Sequence, residues 1–232
     1  MSRPSEPAFV RARAKIRAIL FDLDGTLMDT DDAFLDSVAG RLELFGRLFP
    51  EGDPRPFLRR AMLAAEGPVN RMVSMLDRIG LDDNLFSIGD RLRRMRGLRV
   101  QGQFRPVEGV VEMIHALCGS YRLGIITARS RNDALAFVRQ FDLEGSFEVV
   151  ATREDTHRLK PHPEPILYAT ALVGLPPSEC AMVGDTAVDI ISAKAAGSYA
   201  VGVLCGFGER EELCAAGADL ILDHTSQLKA WF

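Results

Sequence analysis

The sequence predicts an α/β protein in which a parallel, Rossmann-like sheet is interrupted near its start by an all-helical insert. Short apolar runs alternate with helix-like stretches through most of the 232 residues, and this alternation is typical of a parallel sheet with helices on both faces. Residues 29–103 break it, because Leu, Met, Phe, Ala and Arg dominate there without a β-branched apolar run. We therefore expect a catalytic core in residues 1–28 and 104–232 and a helical domain in residues 29–103.

The sheet is predicted from apolar runs that are too short for helices and are bounded by turn or helix-start signals. The first run leads at once into Asp24 and Gly25, a tight-turn sequence, and the last is short enough for an edge strand. The predicted strands are Arg17–Asp22, Leu123–Thr127, Phe147–Ala151, Cys180–Gly184, Tyr199–Leu204 and Asp219–Leu222.

Helices are predicted where apolar residues recur three and four positions apart. Gly197 is expected to end the last core helix, because glycine is a common helix stop. The predicted core helices are Val110–Leu117, Asn132–Phe141, Pro165–Val173 and Ala187–Ala196, and those of the insert are Asp32–Phe49, Pro56–Glu66, Val69–Ile79 and Asn84–Met95. The 12 arginines between Arg41 and Arg99 fit either a solvated face or a basic wall facing an anionic substrate.

The composition and charge argue against several classes of protein. A formal net charge of −4 argues against a general nucleic-acid binder, which needs a surface that neutralises phosphates. No apolar run reaches about 18 residues, the length that spans a membrane, and the first residues lack the pattern of a secretory signal. We expect a cytoplasmic monomer or homodimer with neither nucleic acid nor membrane as partner. The four cysteines lack metal-ligand spacing and are interpreted as small core residues.

Two aspartates follow the first predicted strand. Asp22 and Asp24 are two residues apart in an extended chain, so their side chains can project the same way. Two like charges this close cost energy unless a cation lies between them or one carboxyl takes a proton; Mg²⁺ meets the first need, and a nucleophile beside a general acid meets the second. Gly25 permits the turn and Thr26 adds a hydroxyl. The alternative is an ordinary strand end with capping carboxylates.

A second acidic pair, Asp185 and Asp189, follows the strand that ends at Gly184. Their four-residue spacing places both carboxylates on one helix face, with Asp185 expected at the helix cap. In a parallel sheet this pair lies at the same edge as the first one, where the carboxylates would repel one another without a metal. The alternative is an N-cap aspartate followed by a surface aspartate.

Two further strand ends carry groups that can bind an anion instead of a cation. Thr127 is followed by Ala128 and Arg129, where the amides of a helix N-terminus can hold an anion. Lys160 precedes the first of three prolines in a short loop, and an ammonium fixed opposite several carboxylates would neutralise phosphate and orient a nucleophile. The alternatives are a helix cap for Thr127 and a solvated loop lysine for Lys160.

Taken in order, these strand ends read DxDGT, a hydroxyl after an apolar strand, Lys-Pro and GDxxxD. This ordered set resembles the haloacid dehalogenase (HAD) superfamily of aspartate-nucleophile hydrolases. The motifs run from Asp22 to Asp189, and the helical insert stands where that superfamily carries a small cap domain. The resemblance implies that Asp22 attacks phosphorus to form an aspartyl-phosphate, and that Asp24 protonates the leaving group and then activates water.

The resemblance also implies the groups that bind phosphate and metal. The transferring phosphoryl group would be bound by Thr127 and Lys160, with neighbouring contacts from Gly25, Thr26, Ala128 and Arg129. Mg²⁺ would be held by the carboxylates of Asp22 and Asp185 and the main-chain carbonyl of Asp24, and by Asp189 directly or through water.

Asp24 favours a phosphotransfer enzyme, because haloacid dehalogenases generally lack an acid at this position. The segment from Leu27 to Thr30, the loop around Lys160 and the tail Gly208–Leu222 look most like phosphoglycolate phosphatase and related pyrophosphatases. We therefore expect Mg²⁺-dependent hydrolysis of a small phosphorylated metabolite. A pyrophosphatase or sugar phosphomutase of the same superfamily, or a HAD-like protein that binds a ligand without turnover, are the alternatives.

Overall fold

The structure, a computed structural model, describes residues 15–29 and 104–232. Six strands form one parallel sheet in the order β5-β4-β1-β6-β7-β8, which confirms the predicted α/β fold with a Rossmann-like parallel sheet. Two further strands, β2 and β3, form a separate antiparallel pair. The strands are β1 (Ala18–Phe21), β2 (Met28–Asp29), β3 (Arg105–Pro106), β4 (Arg122–Ile126), β5 (Val149–Ala151), β6 (Cys180–Gly184), β7 (Tyr199–Val203) and β8 (Leu220–Leu222).

Helices lie between the strands of the parallel sheet and after its last strand. They are α1 (Val110–Leu117), α2 (Arg131–Gln140), α3 (Glu164–Val173), α4 (Ala187–Ala196), α5 (Arg210–Ala216) and α6 (Leu228–Trp231), with single 3₁₀ turns at Pro177–Glu179 and Thr225–Gln227. The first four were predicted, and Gly197 ends α4 with a φ of 81° as expected. Helix α5 was not predicted, because it buries a single side chain, Leu213, and has no repeating apolar face. Across the described part of the chain, no helix combines the length and apolar character that crossing a membrane requires.

The β2–β3 pair was not predicted either, since strands of two residues carry no pattern. Met28 pairs with Pro106 and Asp29 with Arg105, so the pair joins the two described segments on either side of residues 30–103. Asp29, which the sequence placed at the start of the insert, lies in β2. The four helices predicted for the insert lie outside the described residues, and the division into core and cap stays a prediction.

The apolar core lies on both faces of the sheet. Along β1, Ile19 and Phe21 belong to one buried cluster, and Ala18 and Leu20 belong to another. This alternation follows from the period of two in a strand, and all four side chains are fully buried. Burying a large apolar side chain stabilises the fold by about 1.5–3 kcal/mol. The unbroken apolar run before Asp22 is therefore explained by a central strand covered on both sides.

The strand order places three strand ends side by side. Strand β1 pairs with β4 and with β6, and Phe21 stands opposite Ile125 on one side and Val183 on the other. The carboxyl ends of parallel strands meet at one edge of the sheet, where ligands of such folds bind. The residues that follow these three strands therefore lie close together.

The cysteines differ in their surroundings. Cys180 is buried, Cys205 and Cys214 are half-buried, and Cys118 is exposed. The interpretation of the cysteines as small core residues is therefore wrong for Cys118. The physical reason is its position directly after α1, where its thiol donates to the carbonyl of His115 at 3.3 Å instead of packing in the core.

Candidate active site

Lys160 links the carboxylates that follow two different strands. Its Nζ donates to Asp22 Oδ1 at 2.7 Å, to Asp189 Oδ1 at 2.6 Å and to the carbonyl of Ile126 at 3.0 Å. Its side chain is only 8% exposed. Burial on its own lowers the pKa of Lys160, but Asp189 and Asp22 raise that pKa above its ordinary value overall. Lys160 is thus a buried, charged link and not a solvated loop lysine.

Asp185 is enclosed by neighbouring main chain. Its Oδ1 accepts a hydrogen bond from the hydroxyl of Thr26 at 3.1 Å, and its Oδ2 accepts one from the main-chain N–H of Phe207 at 2.9 Å. A Cβ atom at Gly25 would lie 2.3 Å from Oδ2, and one at Gly206 would lie 2.1 Å from it. Only glycine fits this close to the carboxylate at both positions. The buried hydroxyl of Thr26 thus helps to hold the Asp185 carboxylate, because it donates a hydrogen bond to it.

The sequence reasoning missed Gly206 and Phe207. Both belong to the loop that follows β7, the strand next to β6 in the sheet. The sequence did contain a signal for a loop close to the site. Gly206, Phe207 and Gly208 follow a predicted strand, and that strand ends at the edge where the acidic residues lie. The main chain of this loop holds Asp185 through the Phe207 N–H.

Asp189 belongs to the first turn of α4. Its Oδ2 accepts hydrogen bonds from the main-chain N–H of Thr186 at 3.1 Å and from the Thr186 hydroxyl at 2.6 Å. Thr186 is the N-cap of α4, so the prediction that Asp185 caps this helix is wrong. Asp185 is instead held by Thr26 and Phe207, and the helix begins one residue later. Asp189 is 1% exposed and is not a surface aspartate.

We call Asp22, Lys160, Asp185 and Asp189 the inner cluster. One oxygen from each of its three carboxylates lies within 4.8 Å of the others. Burial raises the pKa of Asp22 to about 7, with Lys160 opposing and the neighbouring aspartates adding to the shift. Burial and the other two carboxylates also raise the pKa of Asp185 well above its ordinary value.

The inner cluster suits a hard divalent cation. Its three buried carboxylates face one ammonium within the residues that the structure describes, an imbalance that two positive charges would correct. Carboxylate oxygens are the ligands that Mg²⁺ prefers in proteins. The donor set therefore fits the metal that the sequence predicts.

Thr127 directly follows β4 and is buried. Its N–H donates to the carbonyl of Ala151 at 2.9 Å, and its Oγ1 accepts from the N–H of Arg129 at 3.1 Å. The alternative considered for Thr127, a helix cap, is wrong, because Ser130 is the N-cap of α2. Ala128, between them, is exposed.

Asp24 and Arg129 form an ion pair, which we call the outer pair. Nε of Arg129 donates to both carboxylate oxygens, at 2.9 and 2.8 Å, and Nη2 donates to Oδ1 at 2.6 Å. The side chains are 21% exposed for Arg129 and 32% for Asp24. Burial lowers the pKa of Arg129, but the hydrogen bonds and charge of Asp24 raise it overall. The sequence did not predict this pair; it assigned Arg129 to substrate only.

The structure thus brings most predicted site residues to one edge of the sheet. Asp22, Asp185, Asp189 and Lys160 contact one another or a shared partner, and Gly25 and Thr26 surround Asp185. The carboxylate of Asp24 is not part of the three-carboxylate group. Its predicted main-chain contribution to a metal, and the substrate contacts of the neighbouring residues, stay predictions.

Comparison with known proteins identifies the family of this chain. A family model described as haloacid dehalogenase-like hydrolase matches residues 19–203, which include all four motifs. The chain belongs to this family of HAD-like hydrolases. The pyrophosphatase PpaX of Anoxybacillus flavithermus is 31% identical to this hydrolase over 215 residues, covering 92% of this chain and 95% of the relative.

Solved structures share the fold of this HAD-like hydrolase. A hydrolase from Pseudomonas syringae superimposes with a TM-score of 0.66 at 24% identity, covering 92% of this chain and 97% of that one. A predicted phosphoglycolate phosphatase from Haemophilus somnus gives a TM-score of 0.64 at 22% identity, with 92% and 96% covered. At these identities the likeness supports the fold, and the function has to be argued from the site.

Proposed function

We propose that this HAD-like hydrolase is a Mg²⁺-dependent phosphatase that releases phosphate from a small phosphorylated metabolite through a phosphoryl group carried on Asp22. The observation that carries the proposal is the inner cluster. In it a buried ammonium, Lys160, contacts the carboxylate expected to act as nucleophile and a second carboxylate of the acidic group. Positioning and charge neutralisation are what phosphoryl transfer requires of a protein.

The proposed reaction has two balanced steps. In the first, an oxygen of Asp22 attacks phosphorus, the bond between phosphorus and the leaving oxygen breaks, and Asp24 gives its proton to that oxygen. In the second, water attacks phosphorus, its proton passes to Asp24, and the bond from phosphorus to Asp22 breaks. Lys160 and Thr127 would bind the oxygens of the transferring group.

Asp22, Asp185 and Asp189 would hold Mg²⁺, which supplies positive charge that neutralises phosphate and brings it towards the nucleophile. Within the protein, the Thr26 hydroxyl and the Phe207 N–H keep Asp185 in place. Thr186 does the same for Asp189. These contacts would orient the ligands before metal or substrate arrives.

Two substrate classes compete within this proposal. The motif segments favour a phosphoglycolate-like monoester, whereas the 31% identical relative is named as a pyrophosphatase. Both are cleaved by the same core chemistry and differ only in the leaving group. We keep the monoester as the first candidate and pyrophosphate as the second.

The test is a hydrolysis screen of the full-length protein with Mg²⁺ over phosphoglycolate, pyrophosphate, sugar phosphates, nucleotides and pyridoxal phosphate. We expect clear turnover of one class and a loss of at least about 1,000-fold in Asp22→Asn, because that variant lacks the nucleophile. Equal weak rates on every compound would contradict the phosphoglycolate assignment. No turnover at all, or unchanged activity in Asp22→Asn, would overturn the phosphatase proposal.

The alternative, a HAD-like protein that binds a ligand without turnover, can be distinguished from a phosphatase by experiment. Beryllium fluoride mimics a phosphoryl group on a carboxylate, so a phosphatase of this kind should form an adduct at Asp22 when Mg²⁺ is present. Absence of the adduct in the wild-type chain would favour the binding protein. The cytoplasmic location and the monomeric or dimeric state stay predictions, open to cell fractionation and size-exclusion chromatography.

A further inference from the structure

The main chain around Arg129 is fixed on both sides. The N–H of Arg129 donates to Thr127 Oγ1 at 3.1 Å, which closes the turn after β4. The next residue, Ser130, begins α2 by accepting from the N–H of Asp133 at 3.2 Å. The side chain of Arg129 therefore extends from a main chain that is held by hydrogen bonds before and after it.

The guanidinium holds the Asp24 carboxylate along its edge. Its three short contacts involve two nitrogens and both carboxylate oxygens. An arginine fork of this kind fixes the plane of a carboxylate, which a single contact to a lysine does not do. Arg129 thus determines the direction in which the remaining lone pairs of Asp24 point.

In the part of the chain that the structure describes, the side chain of Asp24 is held by Arg129. Within residues 15–29 and 104–232, Arg129 is the one side chain that forms an ion pair with Asp24. Lys160 is engaged with Asp22 and Asp189 instead. Removal of the Arg129 side chain would therefore take away the ion pair that holds the partly exposed carboxylate of Asp24.

We propose that Arg129 is the positioning residue for Asp24, holding the proton-transferring carboxylate in one orientation through both steps of the reaction. This inference rests on the proposed function and assigns a role to a residue that need not touch the substrate. When Asp24 gives its proton to the leaving oxygen, the carboxylate that remains is the form that the fork binds. When water later gives a proton to Asp24, the fork still holds the carboxyl group by one edge.

The test compares two substrates that differ only in their need for a proton. Phenyl phosphate and p-nitrophenyl phosphate have nearly the same shape, but p-nitrophenolate leaves readily without protonation. We expect Arg129→Ala to lower kcat/KM by roughly 10- to 100-fold for phenyl phosphate and by less than about threefold for p-nitrophenyl phosphate, because only the first depends strongly on the acid. Asp24→Asn should show the same difference with a larger loss, and Arg129→Lys should recover part of the activity.

A double-variant cycle separates positioning from substrate binding. If Arg129 acts through Asp24, Arg129→Ala in the Asp24→Asn background should cause no further loss on phenyl phosphate. Additive losses, or equal losses on the two esters, would overturn the inference and favour a direct contact with substrate. Arg131→Ala is the matched control, since Arg131 lies two residues away and pairs with Asp155; it should leave both rates unchanged.

Thermal unfolding of the same variants gives a readout that does not depend on turnover. If the pair holds Asp24 in the free protein, the double variant should unfold at about the temperature of Asp24→Asn alone. Additive shifts would mean that the pair does not form and would overturn the inference. Absence of turnover in the wild-type chain would contradict the proposed function, and the unfolding cycle would still report on the pair.

Discussion

The inner cluster and the outer pair contain the same kinds of charged group in different surroundings. The side chains of Lys160 and Asp189 are 8% and 1% exposed, whereas those of Arg129 and Asp24 are 21% and 32% exposed. In the inner cluster Lys160 donates to both Asp22 and Asp189, while Asp185 and Asp189 each also accept from neighbouring hydroxyl and main-chain N–H groups. In the outer pair, one arginine holds one aspartate in the described part of the chain.

This difference matches the role that the proposed function gives to each group. Charges removed from water need partners, because a buried charge without compensation is costly. Lys160 and a bound cation would therefore both favour the charged form of the inner carboxylates. In the proposed reaction Asp24 exchanges a proton with substrate and with water, which requires it to stay accessible. Variants that remove charge from one group or the other measure this contrast.

Lys160→Met should have the largest effect on stability. The substitution keeps the apolar stem but leaves Asp22 and Asp189 without their shared ammonium. We expect the free energy of unfolding of the metal-free protein to fall by about 3–5 kcal/mol. Arg129→Ala is the comparison, and should cost no more than about 1 kcal/mol because the outer pair is partly exposed. Urea unfolding in the presence of EDTA measures both; equal losses would contradict the contrast.

Asp22→Asn should have the opposite effect to Lys160→Met: it should raise the free energy of unfolding of the metal-free protein. Burial raises the pKa of Asp22 from its ordinary 3.8 to about 7, so the folded state binds this proton more tightly than the unfolded state. The contribution of Asp22 to the free energy of unfolding is fully present below pH 3.8 and is lost as the pH rises through 7. Removing the carboxylate should therefore stabilise the metal-free protein above that window by on the order of 2–4 kcal/mol.

The measurement is urea unfolding of both proteins with EDTA at about pH 5 and about pH 8, on either side of the midpoint of the Asp22 titration. The stabilisation should be larger at the higher pH than at the lower one, where only part of the Asp22 contribution has been lost. Asp24→Asn is the matched control, and should be slightly destabilising because it breaks the pair with Arg129. A loss of stability in Asp22→Asn at the higher pH would show that the carboxylate is not under electrostatic strain.

The buried elements were predictable because their signals are local. Strand β6, Cys180–Gly184, and helices α1 and α4 have the predicted bounds, since a buried strand reads as an apolar run and a covered helix as a period of three and four. The positions of Asp22, Asp185 and Lys160 at one edge then follow from parallel strand order. The β2–β3 pair has two residues in each strand, too few to show any period.

The contacts that could not be predicted join distant parts of the chain. The Thr26 hydroxyl meets Asp185 across 159 positions, and this contact helps to explain why Asp185 does not cap α4. Arg129 meets Asp24 across 105 positions. Side chains this far apart are brought together by the sheet, and neither spacing nor composition shows which partner each one takes.

Gly206→Ala should change stability less than Lys160→Met or Asp22→Asn does. It tests whether the loop after β7 supports the inner cluster. The new Cβ would lie 2.1 Å from Asp185 Oδ2, so the loop or the carboxylate has to move. We expect a loss of about 1–3 kcal/mol in the free energy of unfolding, the usual cost of overpacking. Because the displaced carboxylate is a proposed Mg²⁺ ligand, stabilisation by added Mg²⁺ should also weaken.

Gly119→Ala is the matched control for that variant. Nothing lies within 4 Å of a Cβ at this position, so both unfolding and the response to Mg²⁺ should be unchanged. Thermal unfolding over a series of Mg²⁺ concentrations measures the two effects together, because a ligand that binds the folded state raises its stability with concentration. If Gly206→Ala lowers stability but keeps the full response to Mg²⁺, the loop is a packing element and Asp185 does not need it to bind metal. A weakened response would instead connect the main chain after β7 to the metal site, and would extend the inner cluster to a strand that carries no acidic residue of its own.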